Sequence, residues 1–285
     1  MPRPENRFIT VDGLRLRYIE EGEGPPVLFL HGAALGTSAD SFLRNLAQFA
    51  AAGFRALALD LPAFGLSEHP AKQSLELQRN AIPGFIDAMG LGKTALVAHS
   101  RSGVFAAQLV LEDPKRYSHV IVLGTGPLLP PLEKTTEPGG ASPKAGAANP
   151  GAISPATNGA AKEPTLEKGR RLLEADLFNV QLATEEEVAL RHGHMLGRNF
   201  SAHQERQNAQ DPSSGEALWQ RVSEIKIPWL MIYGRQDRAN AGERAERLKS
   251  LRPELKLHIA DGCKHLVHWD AAELLLQLGV PFLKG

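Results

Sequence analysis

Apolar and polar residues alternate along "FITVDGLRLRYIEEG" (8–22) on both sides of Val11-Asp12-Gly13. A period of two around an Asp-Gly pair predicts an exposed antiparallel hairpin. Beyond it the pattern changes to short, nearly continuous apolar runs: "PPVLFLHG", "FRALALDLP", "TALVAHS", "HVIVLGTG", "PWLMIYGRQD" and "LKLHIADG". Strands covered on both faces of a parallel sheet read this way. Between most of them lie stretches with helical spacing: "SFLRNLAQFAAAG", "SLELQRNAIPGFIDAMG", "SGVFAAQLVLEDPKRY", "AGERAERLKSLRP" and "AAELLLQLGVPFLKG". Alternating strand and helix predicts an α/β fold, a doubly wound, mostly parallel sheet with helices on both faces.

One interval breaks the alternation. Between Gly126 and Pro228 there is no convincing strand, only helical stretches such as "TLEKGRRLLEADLF" and "TEEEVALRHGHMLGRNF". The spacing predicts an α/β core over 1–127 and 223–285 and an inserted helical lid over 128–222. The early part of that insert, near 133–163, is rich in Pro, Gly, Ala, Ser, Thr and Asn. It is too poor in large apolar side chains to bury itself, so a mobile or irregular loop is expected, serving as a binding lid or as a plain linker.

Composition narrows the class of partner. The 285 residues are 42% hydrophobic and 22% charged, and 32 basic residues balance 32 acidic ones. No basic field points to nucleic acid or to an anionic membrane, so the expected partner is a small-molecule substrate, with a homodimer the one macromolecular association left open. The lone Cys263 excludes an internal disulfide framework and, without neighbouring cysteines, a thiolate metal site. No apolar run approaches the roughly 20 residues needed to span a bilayer. "MPRPENRFITVDG" lacks a signal-peptide apolar core, and a cytoplasmic location is expected. No cofactor and no metal are expected, since no ligand set is clustered and "HGAALG" lacks the dinucleotide fingerprint.

The chemistry concentrates where "TALVAHSRSGVFAAQ" passes from strand to helix. At the C-terminal edge of a parallel sheet, a serine on such an elbow has its hydroxyl exposed, provided that the residues two before and two after are small. Ala98 and Ser102 meet that condition for Ser100, whereas a register centred on Ser102 puts Val104 where a small side chain is needed. A serine hydroxyl needs a positioned base, and the base needs a carboxylate to hold its tautomer. In the strand-elbow-helix arrangement these follow in the order acid, then histidine. Asp237 lies just past one predicted strand and His265 in the loop after the last. Asp261 sits in an Asp-Gly turn, His258 in a strand and His268 at a helix start; they are the competitors for the same roles. The oxyanion donors expected are the backbone N–H groups of Arg101 and Ala33, with His31 buttressing the latter's loop.

By these residues the sequence resembles the α/β-hydrolase superfamily. Within it the chain is similar to the meta-cleavage-product hydrolases, serine enzymes that cut a carbon-carbon bond next to a ketone in vinylogous 1,5-diketones formed by ring fission. "LHGAALGTSADSF", "LDLPAFGLSEHP", the elbow, "EPTLEKGRRLLEADLFNVQLATEEEVALRHGHM", "YGRQDR" and "GCKHLVHWD" follow in family order. The resemblance implies an α/β-hydrolase fold, a Ser100, Asp237, His265 triad, and a substrate carboxylate bound by Arg191. From its own neighbourhood, Arg191 is equally readable as the partner of Glu185 to Glu187 on an exposed helix.

The departures bear on substrate. Ala33-Ala34-Leu35 replaces the family's Gly-rich loop, and the polar asparagine of the next helix start is replaced near Phe42. His99 stands for the asparagine before the nucleophile, and Leu266 for the tryptophan after the catalytic histidine. Phe42, His99, Leu266 and Arg191 are therefore the expected substrate contacts. His99 also resembles its counterpart in cofactor-free dioxygenases of the superfamily. The same triad serves a carboxylesterase or lactonase, and a ligand sensor would keep the pocket without turnover. The expected reaction is C–C hydrolysis, with these as rivals.

Overall fold

The computed structural model describes residues 3–132, 162–208 and 217–285. The Pro/Gly/Ala-rich loop expected near 133–163 lies, except for its last two residues, outside them. Strands β1 (Arg7–Val11) and β2 (Leu14–Glu21) form the antiparallel hairpin. Asp12 (φ 48°) and Gly13 (φ 80°) are both left-handed at its tip, which is what a two-residue turn between right-twisted strands requires. The chain continues through β3 (Pro26–Leu30), α1 (Leu43–Ala51), β4 (Arg55–Leu59), α2 (Leu75–Ala88), β5 (Thr94–His99), α3 (Arg101–Glu112) and β6 (Tyr117–Leu123). Four helices follow: α4 (Leu166–Ala175), α5 (Glu185–Gly193), α6 (Gly197–Asn208) and α7 (Leu218–Arg221). The chain closes with β7 (Trp229–Gly234), α8 (Ala241–Leu251), β8 (Lys256–Ala260), α9 (Val267–Asp270) and α10 (Ala272–Lys284). Among the described residues no strand lies between β6 and β7.

The eight strands make one sheet in the order β1-β2-β4-β3-β5-β6-β7-β8. The pairings β1-β2 and β2-β4 are antiparallel and the remaining five parallel. Alternate residues of each apolar run feed opposite layers. Leu28, Leu57, Leu96, Val120 and Met231 pack beneath α2, α3 and α8, while Phe29, Ala58, Val97, Ile121 and Ile232 face α1 and α10. That explains why these strands carry no polar alternation: neither face meets water. Helix α10 lies so close to the sheet that a Cβ on Gly279 would come within 3.2 Å of both Ile121 and Phe49.

A buried charge cluster joins the hairpin, the core and the inserted helices. Arg17 of β2 donates to Asp40 (2.7 Å) and to Asp60 (3.3 Å), and His194, just after α5, lies with Nε2 2.9 Å from Asp40 Oδ2. Asp60 also accepts from the Ala39 and Leu66 N–H groups at 2.6 and 2.8 Å. Burial raises the Asp40 carboxyl, but the hydrogen bonds and charges of His194 and Arg17 outweigh it and hold the group well below the usual range. Buried ions persist only when paired and hydrogen-bonded in this way. No periodicity relates residues 17, 40, 60 and 194, so sequence patterning alone does not reveal the cluster.

Phe49 is fully buried, with its ring edge-on to Phe29 at 5.1 Å between centroids. Phe49→Ala is expected to destabilise the fold by about 3–5 kcal/mol, whereas Leu251→Ala, at an exposed position, stays within about 0.5 kcal/mol. Urea unfolding of both variants checks this, and equal midpoints would place the core elsewhere.

Candidate active site

Strand β5 runs through the middle of the sheet and ends at His99, and α3 begins at Arg101. The turn is made in one residue: Ser100 has φ 54° and ψ −118°. A non-glycine residue held there stores strain of order 1–3 kcal/mol, so its surroundings must over-determine it. They do. The Ser100 N–H donates to Leu123 O (2.8 Å), and its carbonyl accepts from the Gly103 N–H (3.0 Å) and from the Thr125 hydroxyl (2.8 Å). A Cβ on Gly103 would lie 2.1 Å from Thr125 Oγ1, so only glycine fits at that position. Ser102 is fully buried and its hydroxyl donates to the His31 carbonyl, tying α3 to the loop after β3.

Two loops bring partners to Ser100. Gly234, at the end of β7, has no room for a Cβ, which would meet the Lys264 and Cys263 carbonyls at 2.3 and 2.4 Å. The loops carrying Asp237 and His265 therefore pass in contact. His265 Nε2 lies 3.1 Å from Ser100 Oγ, and His265 Nδ1 lies 3.1 and 3.2 Å from the two Asp237 carboxylate oxygens. An Nδ1–H donated to the carboxylate leaves Nε2 as the acceptor for the serine proton. Among the competitors, Asp261 is exposed and paired with Arg235, and His258 is exposed on β8.

The histidine loop is braced by the inserted helices. The Leu266 N–H donates to Asp176 O at 3.1 Å. The Asp270 carboxylate accepts from Lys264 N (3.0 Å) beside the histidine and from Phe178 N (2.8 Å) and Asn179 N (3.0 Å) of the insert. Asp176 and Asp270 are contributors that motif reading missed; the only trace in the sequence is an acidic residue five positions after His265.

Behind the serine, three histidine rings stack. His99 lies 4.8 Å from His265 and 4.7 Å from His268, centroid to centroid, and His268 rests on Phe42 at 4.5 Å. His99 Nε2 is 2.9 Å from the His265 carbonyl, so that nitrogen carries the proton and donates it. Burial pushes His99 well below its ordinary value, with His268 and His265 adding to the effect, and lowers His268 to about 3. Both rings are thus neutral. His31 is held in the same state: its Nε2 accepts from the Leu61 N–H (3.1 Å), which leaves Nδ1–H to donate to Gly32 O (2.7 Å).

A cavity of about 610 Å³ opens over Ser100 and His265. Ala33, Arg101, His99 and Leu266 line it, and the Ala33 N–H donates to no group among the described residues. Val104, Phe105, Leu129, Leu218 and Trp219 supply apolar walls. The charged lining is Asp176, Arg101, Arg238 and Arg244, with Arg238 3.3 Å from Asp176. One expected substrate contact, Phe42, is placed elsewhere, and the reading of it is corrected. Phe42 is fully buried against Phe29 and His268, because the last residue of the 3-10 turn at 39–42 faces the sheet. Arg191 is 8% exposed and lines a small recess with Asp40, Glu187 and His194; burial lowers its guanidinium, and the charges that act on it are those of Asp176 and Arg238 in the cavity lining. Among the described residues no group of three or more His, Cys, Asp or Glu side chains is arranged to hold a metal ion.

Ser100→Ala is expected to abolish hydrolysis while leaving ligand binding and fold intact, and Ser102→Ala to lower stability by about 1 kcal/mol with activity retained. The reverse pattern in a steady-state assay would move the nucleophile to Ser102. The buried histidines also set an acid limit. His268 and His203, lowered to about 3 and about 4, stay neutral in the folded state while the unfolded chain takes up protons below about 6.5. Stability is therefore complete above that pH and falls by up to about 1.4 kcal/mol per pH unit for each such group on acidification. Urea midpoints between pH 8 and pH 5 should drop accordingly, and His268→Gln should flatten the slope; an unchanged slope would locate the acid sensitivity elsewhere.

Comparison with known proteins agrees with this architecture. Residues 25–272 match the alpha/beta hydrolase fold family. The chain is 29% identical over 280 residues to a 2-hydroxy-6-oxononadienedioate/2-hydroxy-6-oxononatrienedioate hydrolase of Pseudomonas putida, covering 95% of this chain and 92% of that one. It is 30% identical over 292 residues to an enzyme of the same name from Burkholderia vietnamiensis, covering 98% and 96%. The solved structure of a meta-cleavage product hydrolase from Pseudomonas fluorescens superposes with a TM-score of 0.77 at 22% identity, covering 98% of this chain and 97% of that one. The chain belongs to the alpha/beta hydrolase fold family, and over nearly its whole length it is similar to the meta-cleavage product hydrolases within it.

Proposed function

We propose that this enzyme hydrolyses the carbon-carbon bond next to the ketone of a 2-hydroxy-6-oxo-dienoate, a product of aromatic ring fission. The observation that carries the reading is the Ser100, His265, Asp237 relay opening on a long, mostly apolar cavity, in a chain related end to end to hydrolases of such dienoates. Ser100 acts as the nucleophile, with His265 taking its proton and Asp237 holding the imidazole in the productive tautomer. The Ala33 and Arg101 N–H groups receive the negative charge that develops on the ketone oxygen. The inserted helices over 128–222 serve as the lid, and His99 and Leu266 contact the substrate.

The bond that breaks needs a leaving carbon able to carry an electron pair. In the diketo tautomer of the substrate that carbon is conjugated to the second carbonyl, so the pair delocalises, and His265 returns its proton as the fragment departs. One water then hydrolyses the acyl-serine, and the products are a carboxylic acid and a 2-hydroxydienoate. Charge stabilised in a site partly withdrawn from water gains more than in bulk solution. No step calls on a cofactor. Among the described residues no helix is long and apolar enough to cross a membrane, in keeping with a small-molecule substrate as the partner.

Product analysis tests the reading. Wild-type enzyme is given a 2-hydroxy-6-oxo-dienoate and, separately, a p-nitrophenyl ester series, with the dienoate followed by loss of its absorbance. A kcat/KM for the dienoate about tenfold or more above the best ester is expected. Efficient ester turnover with inert dienoates would replace the proposal with a carboxylesterase on the same triad.

A further inference from the structure

Arg244, in the first turn of α8, is a cation with no anion paired to it among the described residues. Its Nε donates to Pro130 O at 2.9 Å, and its Nη2 donates to Gly126 O and Leu129 O, each at 2.8 Å. Among the described residues no carboxylate pairs with it, and Nη1 has no hydrogen-bond acceptor there. Three other buried or half-buried guanidinium groups are compensated, whereas Arg191 keeps a buried Nε without a hydrogen-bond partner among the described residues. Arg17 has two aspartates, Arg238 has Asp176, and Arg206 lies 4.0 Å above the Phe64 ring. Arg244 is half-buried, and burial pushes its guanidinium down from its ordinary value.

Its position gives that charge a use. Arg244 lines the cavity that opens over Ser100, and Nη1 is 3.7 Å from the point where a Cβ on Gly126 would stand, so the missing side chain leaves the guanidinium uncovered on that flank. Leu129, Leu218 and Trp219 supply the apolar wall in the same region of the chain. Three carbonyls fix the orientation of the guanidinium plane without neutralising it. A charge so held loses little entropy on binding and acts in surroundings poorer in water than the surface.

We propose that Arg244 binds a carboxylate of the substrate, a role that rests on the hydrolase reading above for the identity of the substrate but not for the charge it recognises. The two Nη1 hydrogens, unused among the described residues, can donate to a carboxylate, and the one acidic residue among the described residues of the lining, Asp176, is already paired with Arg238. The carboxylate belongs either to the acyl end of the substrate or to its dienoate end, and substrate pairs separate the two.

The first pair is p-nitrophenyl hydrogen succinate against p-nitrophenyl butyrate, which differ in charge at the acyl end. The second is a 2-hydroxy-6-oxo-dienoate against its C1 methyl ester. For one pair, the ratio of acid to neutral kcat/KM is expected to fall about tenfold or more in Arg244→Met, through KM, and to recover only in part in Arg244→Lys. The pair affected names the end that is bound. Equal losses on acid and neutral members, the outcome of a merely structural role at the 126–130 segment, would overturn the proposal, as would unchanged ratios in both pairs. If wild type cleaves neither dienoate, the C–C reading falls, and the succinate and butyrate pair alone decides on Arg244.

Discussion

A single backbone conformation, that of Ser100, organises the rest of the molecule. With φ at 54° it turns the chain from the central strand β5 into α3 within one residue, and the hydroxyl stands clear of both. The strain persists because the neighbours leave no alternative: Thr125 fills the space that any side chain on residue 103 would take, and Ser102 fastens the start of α3 to the His31 carbonyl. Relaxing the turn would break contacts to the loops after β3 and β6 together. Those loops are the ones that place Ala33 and Gly126 along the cavity.

The second requirement is that elements far apart in the chain be held in register with that turn. Charged groups do this. Arg17, Asp40, Asp60 and His194 join hairpin, core and insert through buried pairs. Asp270 spends one carboxylate on both the histidine loop and the 178–179 segment of the insert. The insert therefore does two things: Asp176, Leu218 and Trp219 line the cavity, and the 176–179 segment braces the loop that carries His265. A change that loosened the insert would be felt at the histidine as well as at the substrate.

Electrostatics sort the site into a neutral rear and a cationic front. Burial keeps His99 and His268 uncharged behind the serine. In front, the described residues that line the cavity include three arginines against one aspartate. That imbalance favours anionic ligands, in line with a dienoate substrate. Arg191, the arginine that family resemblance singles out, lines a recess with Asp40 and His194 and feels the charges of Asp176 and Arg238, and Arg244 lines the cavity with no carboxylate paired to it among the described residues.

The hydrophobic pattern by itself determined the hairpin, the six apolar strands of the parallel part of the sheet and, among the described residues, the lack of strands between β6 and β7. A strand covered on both faces has no polar positions, and that signature is local. The elbow was legible for the same reason: small residues two before and two after Ser100 are a steric condition written within five positions. Chain order pointed to Asp237 and His265. What patterning could not supply were contacts between residues distant in sequence. Gly103 against Thr125, Asp270 across to Phe178, and Arg17 between Asp40 and Asp60 exist only once the sheet has brought the loops together. Phe42 and Arg191 were expected at the substrate because resemblance transfers position in the chain. Which way a side chain faces is decided by packing, and here packing turned Phe42 toward the core.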